Sequence, residues 1–272
     1  MVAKASRLPP ASLQLEVGES VLSEFIQIER RGAVQVIRLN RPEKKNAITR
    51  DMYSAMAKAL IDGDEDEAVR CHVMLGVPGI FSAGNDMGDF MAIATGQAGG
   101  NEVFDFLQAL AQSKKPLVSG ADGIAVGIGT TIHLHCDLTF ATPQTVFHTP
   151  FVDLGLVPEA ASSLIAPASL GAQRAFALLA MGEKLPAQEA QADGLIYKLV
   201  EADALETAVF EAAEQLAAKP PQALAIARDL IRGPREPVLE RIREEGEHFK
   251  ARLKSDEARQ AFMAFLSRSR TK

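Results

Sequence analysis

The sequence predicts an α/β fold that ends in a helical region, and three observations carry that prediction. Segments with strand-like and helix-like apolar spacing alternate from Phe25 to about residue 200. Beyond Val200 the spacing is helical throughout. The 272 residues sit near the upper limit of one hydrophobic core, which favours a single domain with a helical appendage. The implied division is a flexible arm over 1–24, an α/β core over 25–200 and a helical region over 201–272.

Each element follows from local pattern. Residues 1–24 mix Pro, Ser, Gly and Glu without a sustained period, as a loosely ordered arm does. FIQIE (Phe25–Glu29) alternates apolar and polar residues, Arg31–Gly32 supplies a turn, and VQVIRLN follows, which predicts a β-hairpin. RPEKKNAIT (Arg41–Thr49) is a loop. Its Thr49 is placed to cap a helix with Met52, Met56, Ala59 and Leu60 on the apolar face. VMLGV (Val73–Val77) has the continuous apolar character of a strand buried on both faces. GIFSAGNDMGDF (Gly79–Phe90) is a glycine-bearing loop, and VFDFLQALAQ (Val103–Gln112) is helical. KKPLVSGADG (Lys114–Gly123) is a strand closed by a turn, a helix begins near Ile128, and LTFAT and VFHTP are further strands.

In the helical region Leu205, Ala208, Val209, Ala212 and Leu216 share a face. Pro220–Pro221 opens the next helix and Gly233–Pro234 ends it. Two more helices follow, the last with Ala258, Ala261, Phe262, Phe265 and Leu266 on one stripe. No internal repeat at a solenoid period is present.

Composition narrows the function. The apolar share of 47% and charged share of 24% are ordinary for a soluble protein. A net charge of −6 gives no basic excess to displace counterions from phosphates, which argues against a nucleic-acid partner. No unbroken apolar stretch reaches the length of a membrane span. The first residues lack an apolar signal core, and Arg270-Thr271-Lys272 is no peroxisomal address, so a cytoplasmic location is expected. Cys71 and Cys136 lie far apart, without metal-ligand spacing, and read as free buried thiols. His133 and His135 are two apart on a helical segment and point in different directions, so no metal is expected. His148 reads as a strand residue that hydrogen-bonds locally. Ser82 and Ser162 lack the elbow motif of a serine nucleophile.

Two segments carry chemistry on their own residues. In FSAGND (Phe81–Asp86) a glycine just after a buried strand lets a ligand approach the main chain. In ADGIAVGIGTTIHLHCD (Ala121–Asp137) the helix start near Ile128 offers unpaired amides at the positive end of a dipole, suited to developing negative charge. No third glycine follows Gly127 and Gly129, so this is not a dinucleotide fingerprint.

Taken in order and spacing, RPEKKNAIT, FSAGND, KKPLVSGADGIAVGIG, HCDLTFAT, FHTPFVDLGLVPE and LPAQEAQADGLIYKLV resemble the enoyl-CoA hydratase/isomerase (crotonase) family. The resemblance runs from about Phe25 to the C-terminus. It implies a spiral of ββα repeats, with a C-terminal helical region that helps build homotrimers or hexamers. It also implies an acyl-CoA thioester as substrate and no further cofactor, because coenzyme A is part of that substrate. Carried over residue by residue, the oxyanion hole is the amides of Asn85 and Ile128. Relatives usually have three glycines at the second site, and Ile128 at the middle position still supplies an N–H. Ala83 and Met87 match positions lining the pantetheine tunnel, and Ala47 matches one whose backbone lies near the adenine. Lys44 and Lys45 are candidates for the coenzyme's phosphates, with ordinary solvated lysines as the alternative.

The acids separate the reactions. Hydratases of the family use two glutamates, which would align with Thr131 and Phe151, so both are absent here. Glu159 instead matches the single glutamate that resembles the base of Δ3,Δ2-enoyl-CoA isomerases. One carboxylate suffices for that chemistry, taking a proton from C2 and returning it at C4. The apolar neighbours Leu156, Val157, Ala160 and Ala161 should raise its pKa. The alternatives are another reaction of the family (hydration, thioester hydrolysis or dehalogenation) using Glu159 or Asp153, or a non-catalytic acyl-CoA-binding protein. The unpatterned loop around Phe90–Gly100 leaves the acyl-chain length open.

Overall fold

A computed structural model of the chain describes residues 23–94 and 100–269. Nearly all of the predicted arm, and part of the Phe90–Gly100 loop, therefore lie outside the described residues.

The hairpin forms as its alternation requires: β1 (Ile26–Arg31) pairs antiparallel with β2 (Val34–Leu39), with Gly32 at φ +60° in the turn. Next is α1 (Arg50–Glu65), whose first turn is capped by Thr49 Oγ1 accepting from Met52 N at 3.3 Å. Its buried face holds Met52, Met56, Ala59 and Leu60, and also Tyr53. Then come β3 (Cys71–Leu75), β4 (Ile80–Ser82), α2 (Met87–Ala94) and α3 (Glu102–Gln112). They are followed by β5 (Leu117–Ala121), β6 (Ile124–Val126) and the one-turn α4 (Ile128–Thr131). After β7 (Leu138–Ala141) and β8 (Val146–His148) the chain runs through α5 (Ser162–Leu170) and α6 (Ala172–Leu179). The core closes with β9 (Leu185–Pro186), α7 (Ala187–Ala192) and β10 (Lys198–Leu199).

Each turn of the chain adds one strand to each of two sheets. One has the order β1-β2-β3-β5-β7-β10 and the other β4-β6-β8-β9. The crossovers β2–β3, β3–β5 and β5–β7 are parallel, as are β4–β6 and β6–β8. This is the spiral of ββα repeats. The sequence reading treated Gly79–Phe90 as loop and Lys114–Gly123 as one strand followed by a turn, so it missed β4 and β6. Three residues are too few for a period to register, and both strands are set by pairing with distant segments. The third strand also differs from VMLGV: it starts at Cys71 and ends at Leu75. Gly76 makes the turn, because a Cβ there would lie 2.2 Å from the Ile80 carbonyl oxygen.

The larger sheet is covered on both faces, which explains its continuous apolar strands. Ile37, Leu39 and Met74 pack in the main core with α1 and α3. Val34, Val36, Val73 and Val118 face the other way, onto Leu205, Val209, Phe210 and Ala213 of α8 (Leu205–Ala217). Beyond it lie α9 (Pro221–Arg232), α10 (Glu236–Leu253) and α11 (Asp256–Ser269). α9 is tied down by Arg228 and Arg232, which both pair with Asp137 at 2.8 Å. Its Ile226, Leu230 and Ile231 stay exposed. α10 returns over the core, and its Phe249 packs with Phe262 of α11 around Phe90 of α2. No helix among the described residues is long and apolar enough to cross a membrane.

Candidate active site

Two close approaches of backbone build one side of the site. Gly84 has φ +88°, and a Cβ there would meet the Val126 carbonyl oxygen at 2.7 Å. A Cβ on Gly129 would likewise meet Ser82, at 2.9 Å from its Cβ and from its carbonyl oxygen. The two glycines therefore press the Ser82–Asn85 segment against the start of α4. Ile48 pairs in parallel with Asn85, its N–H donating to Gly84 O at 2.8 Å and its carbonyl accepting from Asp86 N at 2.9 Å. In that register the N–H of Asn85 points away from Ile48. Among the described residues it has no protein acceptor, and neither has the N–H of Ile128 at the first position of α4.

The acid comes from the loop before α5. Glu159 is only 5% exposed, and its Oε1 accepts from Thr131 Oγ1 at 2.8 Å. Burial pushes its carboxyl up to about 8, opposed by the Thr131 hydrogen bond and reinforced by the charge of Glu245. Thr131, matched by the sequence resemblance to a hydratase's first glutamate, thus contacts the acid. Phe151, matched in the same way to the second, is buried and apolar. Tyr53, also buried, donates from its hydroxyl to Asn85 Oδ1 at 2.6 Å. Burial and the charge of Glu159 hold its phenol well above its usual range, so it stays a donor. α1, the Asn85 loop, α4 and the Glu159 loop therefore converge on one place.

The positions matched to coenzyme A lie on a neighbouring strip. Lys44 and Lys45 are exposed, while Ala47, Ala83 and Met87 are half-buried. Lys45 O accepts from Ala83 N at 2.8 Å, which lays the lysine loop alongside the Asn85 loop. Asn46 fixes that loop: at φ +52° and fully buried, it donates to Leu39 O, Ile80 O and Phe81 O and accepts from Arg41 N. Arg41 closes the corner with bonds to Asp86 Oδ2 at 2.7 Å and Ala47 O at 2.9 Å.

Other candidates separate cleanly. Asp153 is exposed and lies against Gly182, away from the Thr131 contact that marks the acid. His133 is buried against Ser119 Oγ at 2.9 Å, and burial takes its pKa down to about 3. His135 donates from Nε2 to Ala160 O at 2.7 Å. His148 pairs through its backbone, accepting from Gly127 N and donating to Thr130 Oγ1. No cluster of three metal-ligating side chains exists among the described residues. Three surface hollows of about 370, 700 and 420 Å³ open elsewhere, and Asn85, Ile128 and Glu159 line none of these three.

The sequence reading missed Asn46, Tyr53 and Glu245. Asn46 carries a weak signal, since asparagine is favoured in left-handed loop conformations. Tyr53 sits beside Met52 and Met56 and passes for core.

The spiral of paired strands, with the unpaired amides of Asn85 and Ile128 and a buried carboxylate at Glu159, places the chain in the crotonase-type class of folds. Residues 29–272 match the family described as enoyl-CoA hydratase/isomerase, and the chain belongs to that family. It is 34% identical over 257 residues to enoyl-CoA delta isomerase 2 of Rattus norvegicus, covering 92% of this chain and 66% of that protein. The chain thus spans about two thirds of that relative's length. The fold matches the crystal structure of an enoyl-CoA hydratase/isomerase from Pseudoalteromonas atlantica with a TM-score of 0.86, at 34% identity over 90% of this chain and 98% of that one. It also matches OdaA of Pseudomonas aeruginosa with a TM-score of 0.85, at 39% identity over 89% and 99%.

Proposed function

We propose that the protein is a Δ3,Δ2-enoyl-CoA isomerase that works with one base, Glu159. The observation that carries this reading is the single buried carboxylate hydrogen-bonded to Thr131, three residues past the free amide of Ile128. The thioester oxygen accepts from the N–H groups of Asn85 and Ile128. Glu159 removes a proton from C2, and the electron pair spreads through the dienolate onto that oxygen. The same carboxyl returns the proton at C4, and the double bond moves from C3 to C2. A carboxyl whose pKa stands near 8 can both take and give that proton near neutral pH. Lys44, Lys45 and Ala47 receive the nucleotide end of coenzyme A, and Ala83 and Met87 flank the pantetheine. Hydration needs a second acid to orient water, and Thr131 and Phe151 supply none.

Glu159→Gln keeps size and hydrogen bonding but cannot accept the proton. Isomerisation of a 3-enoyl-CoA should fall by about 10² to 10⁴-fold with acyl-CoA affinity nearly unchanged. Asp153→Asn should retain full activity. Substantial hydration of a 2-enoyl-CoA by the unmodified protein, or loss of activity in Asp153→Asn alone, would overturn the assignment.

A further inference from the structure

We propose that Glu245 is a positioning residue for Glu159, acting from α10 through the backbone that follows the acid. This rests on the reading of Glu159 as the base. Ala160 and Ala161 both hold left-handed backbone, at φ +62° and +53°, a conformation that costs an L-residue with a Cβ and persists only when its surroundings impose it. Two groups impose it. His135 Nε2 donates to Ala160 O at 2.7 Å. Glu245 accepts from Ala161 N at 2.6 Å and from Ser163 N at 3.0 Å, and also from Ser163 Oγ at 2.5 Å.

The helix α5, which starts at Ser162, has no cap from its own side chains. Glu245 therefore supplies the acceptor for its first N–H groups from another helix. Released from Glu245, the Ala160–Ala161 pair can relax toward ordinary backbone, which rotates the preceding Cα and takes the Glu159 carboxyl off Thr131. Glu245 is itself 6% exposed, so its charge acts on Glu159 through protein and not through water.

The charged and titratable groups around the pair are few. Tyr53 faces Glu159 from α1, and His135 reaches Ala160 from the turn after α4. Arg241 bonds Ser163 Oγ at 2.9 Å while pairing with Glu244. The charge of Glu245 is the one that raises Glu159 beyond burial, so removing it should lower the pH at which Glu159 ionises.

The test is Glu245→Gln, with Glu245→Ala as a second variant. Glutamine keeps one acceptor oxygen for Ser163 but presents an N–H₂ to the Ala161 N–H. In Glu245→Gln the plateau kcat for a 3-enoyl-CoA should fall about ten- to a hundredfold, the weight of a small misplacement of a reacting group. KM should hold, and the midpoint of the rising limb of kcat/KM against pH should move to lower pH. The same midpoint, read without substrate from thermal unfolding against pH, should move with it. A variant with normal kcat and an unmoved midpoint overturns the proposal. So does one that loses kcat and affinity together with an unmoved midpoint, since that is loss of fold alone. Failure of the base assignment shows elsewhere, as an active Glu159→Gln. If Glu159→Gln is inactive, adding Glu245→Gln should cost its residual rate nothing further, and an independent second loss would remove the coupling.

Discussion

Glu159 should make the folded protein less stable as the pH rises, and Glu159→Gln should abolish that dependence. Its carboxyl has an ordinary pKa of 4.5 when unfolded and about 8 in the fold, because burial disfavours the ionised form. Between those values the folded state keeps a proton that the unfolded state releases. The stabilisation is therefore fully present below about pH 4.5 and is lost as the pH rises through 8. At about 1.4 kcal/mol per pH unit, the interval is worth about 5 kcal/mol, a ceiling that relaxation and water entry around the ionised group reduce. Glutamine has the same shape, accepts from Thr131 and does not titrate. Wild type and variant should then unfold alike near pH 5 and diverge toward pH 9, with the variant the more stable. At roughly 2–4 °C per kcal/mol for a chain of this size, even half the ceiling is a gap that thermal melts resolve. Melts of both proteins at matched buffers from pH 5 to pH 9 measure it. A difference that stays constant across that range would refute the claim that Glu159 is buried and protonated at rest.

Three further outcomes follow from the packing. Gly84→Ala sets a Cβ 2.7 Å from Val126 O at a backbone φ of +88°, so it should destabilise by about 1–3 kcal/mol and lower kcat by disturbing the Asn85 amide. An unchanged melting temperature with full activity would show that the contact yields freely. Lys44→Glu with Lys45→Glu should weaken coenzyme A binding and flatten its dependence on salt, and binding that survives both reversals unchanged would remove the phosphate assignment. The exposed Ile226, Leu230 and Ile231 of α9 should be covered in a homotrimer, alone or paired into a hexamer, and light scattering that reports a stable monomer at micromolar concentration would contradict it.

What the sequence made legible was local. The Thr49 cap, the Gly32 turn and the Pro221 helix start each depend on residues a few positions apart, and all stand where the pattern put them. The hairpin predicted from Phe25–Glu29 and the VQVIRLN run also forms, and β2 is buried almost throughout because each face of that strand meets its own core. β4 and β6 were invisible for the opposite reason. Neither has a face long enough to show a period, and both are set by pairing between successive turns of the chain, β4 with β6 and β6 with β8.

The acid shows the same division more sharply. Its local setting, Leu156, Val157, Ala160 and Ala161, gave the right direction for the pKa of Glu159 but only part of the cause. Val157 is half-buried, and the two alanines matter as much for their left-handed backbone as for their apolarity. The charge of Glu245 on α10 adds to the rise, and the hydrogen bond from Thr131, 28 residues earlier, opposes it. Glu245 stands in ERIREEGEHFK, where charge density suggests a solvated face. Yet Ile242 and Leu253 are buried and Phe249 packs against the core, and Glu245 falls at the helical spacing between them. A carboxylate inside an apolar stripe must find donors or be expelled, since its desolvation is costly. The backbone after Glu159 supplies them, at Ala161 and Ser163, a partnership between segments some eighty residues apart that local pattern does not display.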